Sequence, residues 1–225
     1  MQSHNWIVRN RKGKPLIDLN PIVFGFSAGL VLFFVTLNLI YVDEVGPLFE
    51  STQAWIANQT GWFFVLVTNI ILGYCVYLAF SRFSAIRIGG ADAKPDFSLF
   101  GWFAMLFSAG MGIGLLFYSV AEPMYHLLEP PHGAEPGTPA AYRDAMMTTF
   151  LHWGLHAWSI YALVGLALAF FAFNKGQPLS IRSVFEPILG DRMHGPIGHA
   201  IDVLATVATL FGFATCLGLG VHKVK

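Results

Sequence analysis

Five apolar stretches, each at least twenty residues long, constrain this chain of 225 residues more than any other feature. They cover residues 22–42, 61–80, 97–118, 147–173 and 201–220. At about 1.5 Å per residue a twenty-residue helix reaches about 30 Å, the depth of a hydrocarbon core. Lipid offers the backbone no hydrogen-bond partner, so a stretch that crosses it must close its own hydrogen bonds as a helix. The expected fold class is all-α, a polytopic membrane protein with five transmembrane helices in a single membrane domain. With 55% hydrophobic residues, 12% charged residues and a mean hydropathy of +0.59, an ordinary soluble domain is excluded. Residues 1–20 are polar, and the apolar run after them is too long for the core of a cleaved signal peptide, so the first span is read as retained.

Basic residues sort between alternate connections. Arg9, Arg11, Lys12 and Lys14 precede the first span; Arg82, Arg87 and Lys94 lie between the second and third; Lys175, Arg182 and Arg192 lie between the fourth and fifth. The first connection carries Asp43, Glu44 and Glu50 without a lysine or arginine, and the third carries only Arg143. Lysine and arginine collect on the cytoplasmic side, so the amino terminus is expected inside and a loop over 119–144 outside. That loop holds Pro130, Pro131, Gly133, Pro136, Gly137 and Pro139. Lys223 and Lys225 then fall outside, mildly against the charge rule. Tyr41, Trp62 and Tyr118 near span ends read as interfacial anchors.

The third span is unusual. Gly110, Gly112 and Gly114 occupy every second position near its centre, and each glycine in a helix interior costs about 0.8 to 1 kcal/mol relative to alanine. Two readings stand. Gly110 and Gly114 form a GxxxG face for close helix packing, or the three mark an interrupted helix whose freed backbone holds an ion or small substrate, as in secondary transporters.

The fourth span contains HWGLHAWSIY, residues 152–161. On a continuous helix Trp153, Trp158 and Tyr161 share a broad face, which either packs against neighbours or holds a cation that cannot donate a hydrogen bond. His152 and His156, spaced i, i+4, admit a metal or proton-relay reading without an acidic or cysteine ligand beside them. Glu122 reads as a solvated loop carboxylate or a gate, and Asp202 as a first-turn acid on the fifth helix. Cys75 and Cys216 lie in apolar segments and read as small buried hydrophobes. The sequence pairs no nucleophile with a base and has no phosphate loop or nucleic-acid patch, so neither an enzyme nor a nucleic-acid partner is expected.

The succession SAGMGIGLLFYSVAEP, HWGLHAWSIYALVGLALAFF, IRSVFEPILG and DVLATVATLFGFATCLGLG resembles the betaine–carnitine–choline transporter family from Pro95 to Gly220. The resemblance implies a twelve-helix fold in which two preliminary helices precede two inverted five-helix repeats, as in amino-acid/sodium symporters. Gly110, Gly112 and Gly114 then look like the substrate-contacting segment, with the backbone of Ser108 and Met111 facing a sodium ion. Trp153, Trp158 and Tyr161 look like the aromatic residues of the following helix. Some proton-coupled choline carriers have aspartate at the third glycine position, so Gly114 is more similar to sodium-coupled glycine betaine carriers.

The resemblance implies symport of a quaternary ammonium osmolyte (glycine betaine, choline or carnitine) in osmoprotection, with sodium as coupling ion and no other cofactor. It also implies a multi-pass protein embedded in the lipid of the inner (plasma) membrane, forming a homo-oligomer. With five spans in place of twelve, the chain is expected to be a truncated transporter that does not carry out coupled transport alone. The remaining reading is a non-transporting membrane subunit whose glycines and aromatics serve packing only.

Overall fold

A computed structural model describes residues 5–10, 13–110 and 112–224. The chain divides into two compact units, Met1–Gly61 with Gly176–Phe211 and Trp62–Lys175 with Gly212–Lys225. The described chain is mostly helical, but the all-α expectation needs one correction. Strands β1 (Trp6–Arg9) and β2 (Pro15–Leu19) form an antiparallel hairpin ahead of the first helix. Its turn includes Gly13 at φ 75°, a left-handed conformation that glycine adopts without strain.

Helix α1 (Pro21–Ile40) starts where Asn20 caps it, accepting the Ile22 and Val23 amides at 3.1 and 3.2 Å, with Pro21 in the first turn, where its missing N–H costs nothing. Helix α2 (Val42–Phe80) has 39 residues, about 58 Å, nearly twice a hydrocarbon core. The acidic segment expected as the first loop is therefore its amino-terminal half. Thr52 and Thr60 return their hydroxyls to carbonyls four residues back, both at 2.7 Å. Such self-satisfied side chains let a polar stretch stay helical. Asp43 and Glu44 sit in the first turn, where the helix dipole favours acids.

The third span is broken. Helix α3 (Leu99–Gly110) has 12 residues and α4 (Ile113–Leu128) has 16, and the break falls within the glycine run. Among the described residues, four helical stretches are long and apolar enough to cross a membrane: Pro21–Ile40, Val42–Phe80, Pro139–Asn174 and Pro196–Gly218. The five expected spans are thus matched by these four stretches and by the segment split between α3 and α4. Helix α4 runs to Leu128 and α5 (Pro139–Trp153) begins at a Thr138 cap, so the expected outer loop shrinks to residues 129–138. The Thr-Pro start signal at 138–139 moves the fourth stretch eight residues ahead of its expected beginning at 147.

Helix α6 (Leu155–Ala169) follows α5 after a break at Gly154 and loosens into a π turn over Phe170–Asn174. Leu127 of α4 packs against Ala141 and Ala145 of α5, and these small residues let the two backbones approach closely.

Short helices α7 (Ile181–Val184) and α8 (Glu186–Leu189) precede the long α9 (Pro196–Val224). Asp202 lies beyond the first turn of α9. Its carboxylate pairs with Arg182 Nε at 3.0 Å and accepts the Arg182 amide at 3.2 Å, so it holds α7 to α9 instead of serving the helix dipole. In the same unit Phe34 meets Phe49 and Phe211, with ring centroids 5.3 and 4.5 Å apart. Cys75 is half-buried and donates to the Ser159 carbonyl at 3.5 Å, whereas Cys216 is exposed, contrary to the expectation of burial.

Candidate functional site

All the residues that sequence analysis singled out for substrate lie in the second unit, at two helix breaks. The first break separates α3 from α4. Gly112 is the amino-terminal cap of α4, with extended backbone (φ −67°, ψ 173°) and no side chain to satisfy the amides of the first turn. Those amides and the last carbonyls of α3 lack helical partners by construction. Ser108 sits exposed in the last turn of α3, and Met111 lies outside the described residues.

The second break is at Gly154, also extended (φ −88°, ψ −153°). It divides the expected aromatic face, so that Trp153 ends α5 while Trp158 and Tyr161 belong to α6. Wheel arithmetic that assumes one continuous helix is therefore corrected. Trp158 and Tyr161 remain neighbours one turn apart, with ring centroids at 5.7 Å, and Tyr161 is largely exposed. Trp153 instead pairs with Tyr118 of α4 at 5.8 Å. Tyr118 is thus a partner of Trp153, where sequence reading had it as an interfacial anchor. The indole N–H of Trp158 donates to the Trp153 carbonyl at 3.1 Å, a group that α5 leaves free by ending there.

The two breaks meet. A methyl group added at Gly110 would lie 3.3 Å from the far edge of the Trp158 ring, so bare backbone there is what lets the indole approach. Gly114 faces a different neighbour, since a methyl group there would lie 3.9 Å from Cys216 Sγ. The structure therefore brings Gly110, Trp158 and Tyr161 together, places Gly112 at the adjoining cap, and seats Trp153 one joint away with Tyr118.

Sequence reasoning underrated Glu122. It is buried in α4, only 9% exposed, and not a solvated loop group. Its Oε1 accepts from His152 Nδ1 at 2.5 Å and from His126 Nε2 at 3.3 Å, and its Oε2 accepts from the Trp153 indole N–H. Three N–H donors compensate the desolvation that burying a carboxylate costs. The histidine pair that spacing suggested is replaced by another: the break at Gly154 lies between His152 and His156, and His152 meets His126 with ring centroids 5.6 Å apart. The available signal was the i, i+4 pair Glu122 and His126, legible only once α4 is known to run on to Leu128.

The family model for the betaine/carnitine/choline family transporters matches residues 22–225. The chain is 48% identical over 204 residues to the glycine betaine transporter OpuD of Bacillus subtilis, covering 91% of this chain and 39% of that protein. It is 50% identical over 210 residues to a glycine betaine/proline/choline/ectoine transporter of Vibrio parahaemolyticus, covering 92% and 37%. With a high-affinity choline transport protein of Escherichia coli it shares 44% identity over 207 residues, covering 92% and 30%. The chain therefore spans less than half the length of these relatives. Members of the matched family are transporters, not enzymes, which agrees with the absence of a nucleophile paired with a base in the sequence. Since the match runs from the first membrane helix to the last residue and takes in both broken helices, the chain belongs to the betaine/carnitine/choline transporter family.

Proposed function

We propose that this chain takes part in secondary transport of a quaternary ammonium osmolyte, glycine betaine foremost, with choline or carnitine as related cargoes and sodium as the coupling ion. The observation that carries the reading is the meeting of two interrupted helices at Gly110 and Trp158. A trimethylammonium group has no N–H to donate, so it is held by ring faces and by carbonyl oxygens. Aromatic faces contribute about 0.5 to 2 kcal/mol each, according to how dry the site is. In the proposed site Trp158 and Tyr161 supply such faces with Trp153 beside them, while the backbone at Gly110, Gly112 and Gly114 approaches the cargo without side-chain hindrance. The backbone carbonyls of Ser108, in the last turn of α3, and of Met111 are assigned to sodium, because unwound backbone in transporters of this kind coordinates the driving ion.

The setting belongs to the same proposal. It is the inner (plasma) membrane, with a cytoplasmic amino terminus, a twelve-helix inverted-repeat architecture in the full-length protein, and a homo-oligomer in the lipid. The basic residues of alternate connections support the orientation. The names of the relatives support the cargo class over a role in helix packing alone. The test is equilibrium binding of glycine betaine, with and without sodium, to a full-length protein carrying these residues. Trp158→Leu keeps bulk but removes the ring face, and it should weaken sodium-dependent binding by about 1 to 2 kcal/mol, roughly 5- to 30-fold. Unchanged affinity would leave Trp158 as packing and overturn the assignment.

A further inference from the structure

We propose that Glu122, His126 and His152 form a binding site for a divalent transition ion of the zinc type, none of whose ligands is an osmolyte contact, although Trp153 borders both sites. One ligand atom from each residue lies within 4.8 Å of the other two. Zinc holds nitrogen and oxygen donors at about 2.0 to 2.2 Å, which places tetrahedral donors about 3.4 Å apart. His126 Nε2 and Glu122 Oε1 are already 3.3 Å apart. His152 Nδ1, at 2.5 Å from the same oxygen, has to move outward by about 0.9 Å to match that spacing. The exposed half of its side chain leaves room for such a rotation.

The donor set selects the ion. Two imidazoles and one carboxylate suit zinc, cobalt and their neighbours, whereas calcium and magnesium require mostly oxygen donors. The supporting contacts also fit. The Trp153 indole N–H holds Oε2 and so keeps Oε1 turned toward both histidines, as outer partners do for carboxylate ligands of metals. Glu122 and His126 stand one turn apart on α4, and His152 comes from α5, which is packed on α4 through Leu127, Ala141 and Ala145. The backbone that carries the three donors is therefore fixed before any ion arrives. His152, 54% exposed at its side chain, gives the ion a way in and leaves a fourth position for water.

The test uses the purified 225-residue chain in detergent and metal ions alone, with no osmolyte, so its failure and the failure of the transport reading are distinguishable. Cobalt should bind one to one, with the strong visible absorption of a tetrahedral site and quenching of the adjacent Trp153 fluorescence, and one equivalent of zinc should displace it. His126→Ala and His152→Ala should each weaken zinc binding at least tenfold. His156→Ala should leave it unchanged. His152→Ala removes a partly exposed ring, and retained near-ultraviolet circular dichroism will show that it folds. Absence of the tetrahedral cobalt spectrum in the folded chain would overturn the proposal. So would binding that survives His152→Ala but is lost on replacing His132, whose ring pairs with Asp144 elsewhere on α5.

Discussion

Replacing Gly154 by alanine adds one methyl group at the joint between α5 and α6, and its effect follows from the local geometry. An ideal Cβ at this position would lie 2.4 Å from the Phe150 carbonyl oxygen. Carbon and oxygen in close contact stay about 3.3 Å apart, so backbone must move by about 0.9 Å. The obstacle is a main-chain atom and cannot rotate away as a side chain would. Forced repacking of this kind costs about 1 to 3 kcal/mol. Alanine recovers about 1 kcal/mol of helix propensity only if the joint straightens, and straightening breaks the bond from the Trp158 indole to the Trp153 carbonyl. In a chain of this size 1 kcal/mol shifts the melting temperature by about 2 to 4 °C. Gly154→Ala should therefore melt roughly 2 to 12 °C lower, followed by tryptophan fluorescence in detergent. Gly165→Ala is the control. It lies within α6, where the added methyl meets nothing within 4 Å beyond the local helix backbone, and it should melt at or slightly above the parent. A Gly154→Ala chain that melts at or above the parent would refute the view that the fold holds this break open.

Gly198→Ala should be far more damaging, because its Cβ would fall 1.7 Å from the carbonyl oxygen of the fully buried Met193. A loss of about 3 kcal/mol or more is expected, seen as little monodisperse protein on size exclusion, and normal yield and melting would contradict it. The topology is checked by Glu135→Cys, placed between α4 and α5, in a background lacking Cys75 and Cys216. An impermeant thiol reagent should label it in intact cells, and protection until the membrane is opened would reverse the orientation.

What the sequence determined alone was the solvent and the kind of element. Apolar runs of twenty or more residues leave a chain in lipid no choice but to satisfy its backbone internally, and α1, the carboxyl half of α2 and α9 follow from that. The glycine run also announced its own break, since three costly residues within five concentrate the weakness of a helix in one place. The Gly154 break was not legible in the same way, because a single glycine among helix formers does not stop a helix unless its surroundings make it. What stops it here is position: the Phe150 carbonyl approaches where any other residue would carry a side chain, and the Trp158 indole takes the carbonyl released at Trp153.

Pairings across helices were likewise beyond the reach of periodicity, which orders residues around one axis and says nothing about the next. His152 was matched with His156 by spacing, yet its partner is Glu122, thirty residues earlier on α4. Glu122 resembled a loop carboxylate because it lies just past residue 118, where the third span was expected to end, whereas α4 carries Pro123 in its interior and continues to Leu128. Only the packing of α4 on α5 through Leu127, Ala141 and Ala145 adds the His152 and Trp153 donors to the His126 donor on its own helix and makes its burial tolerable.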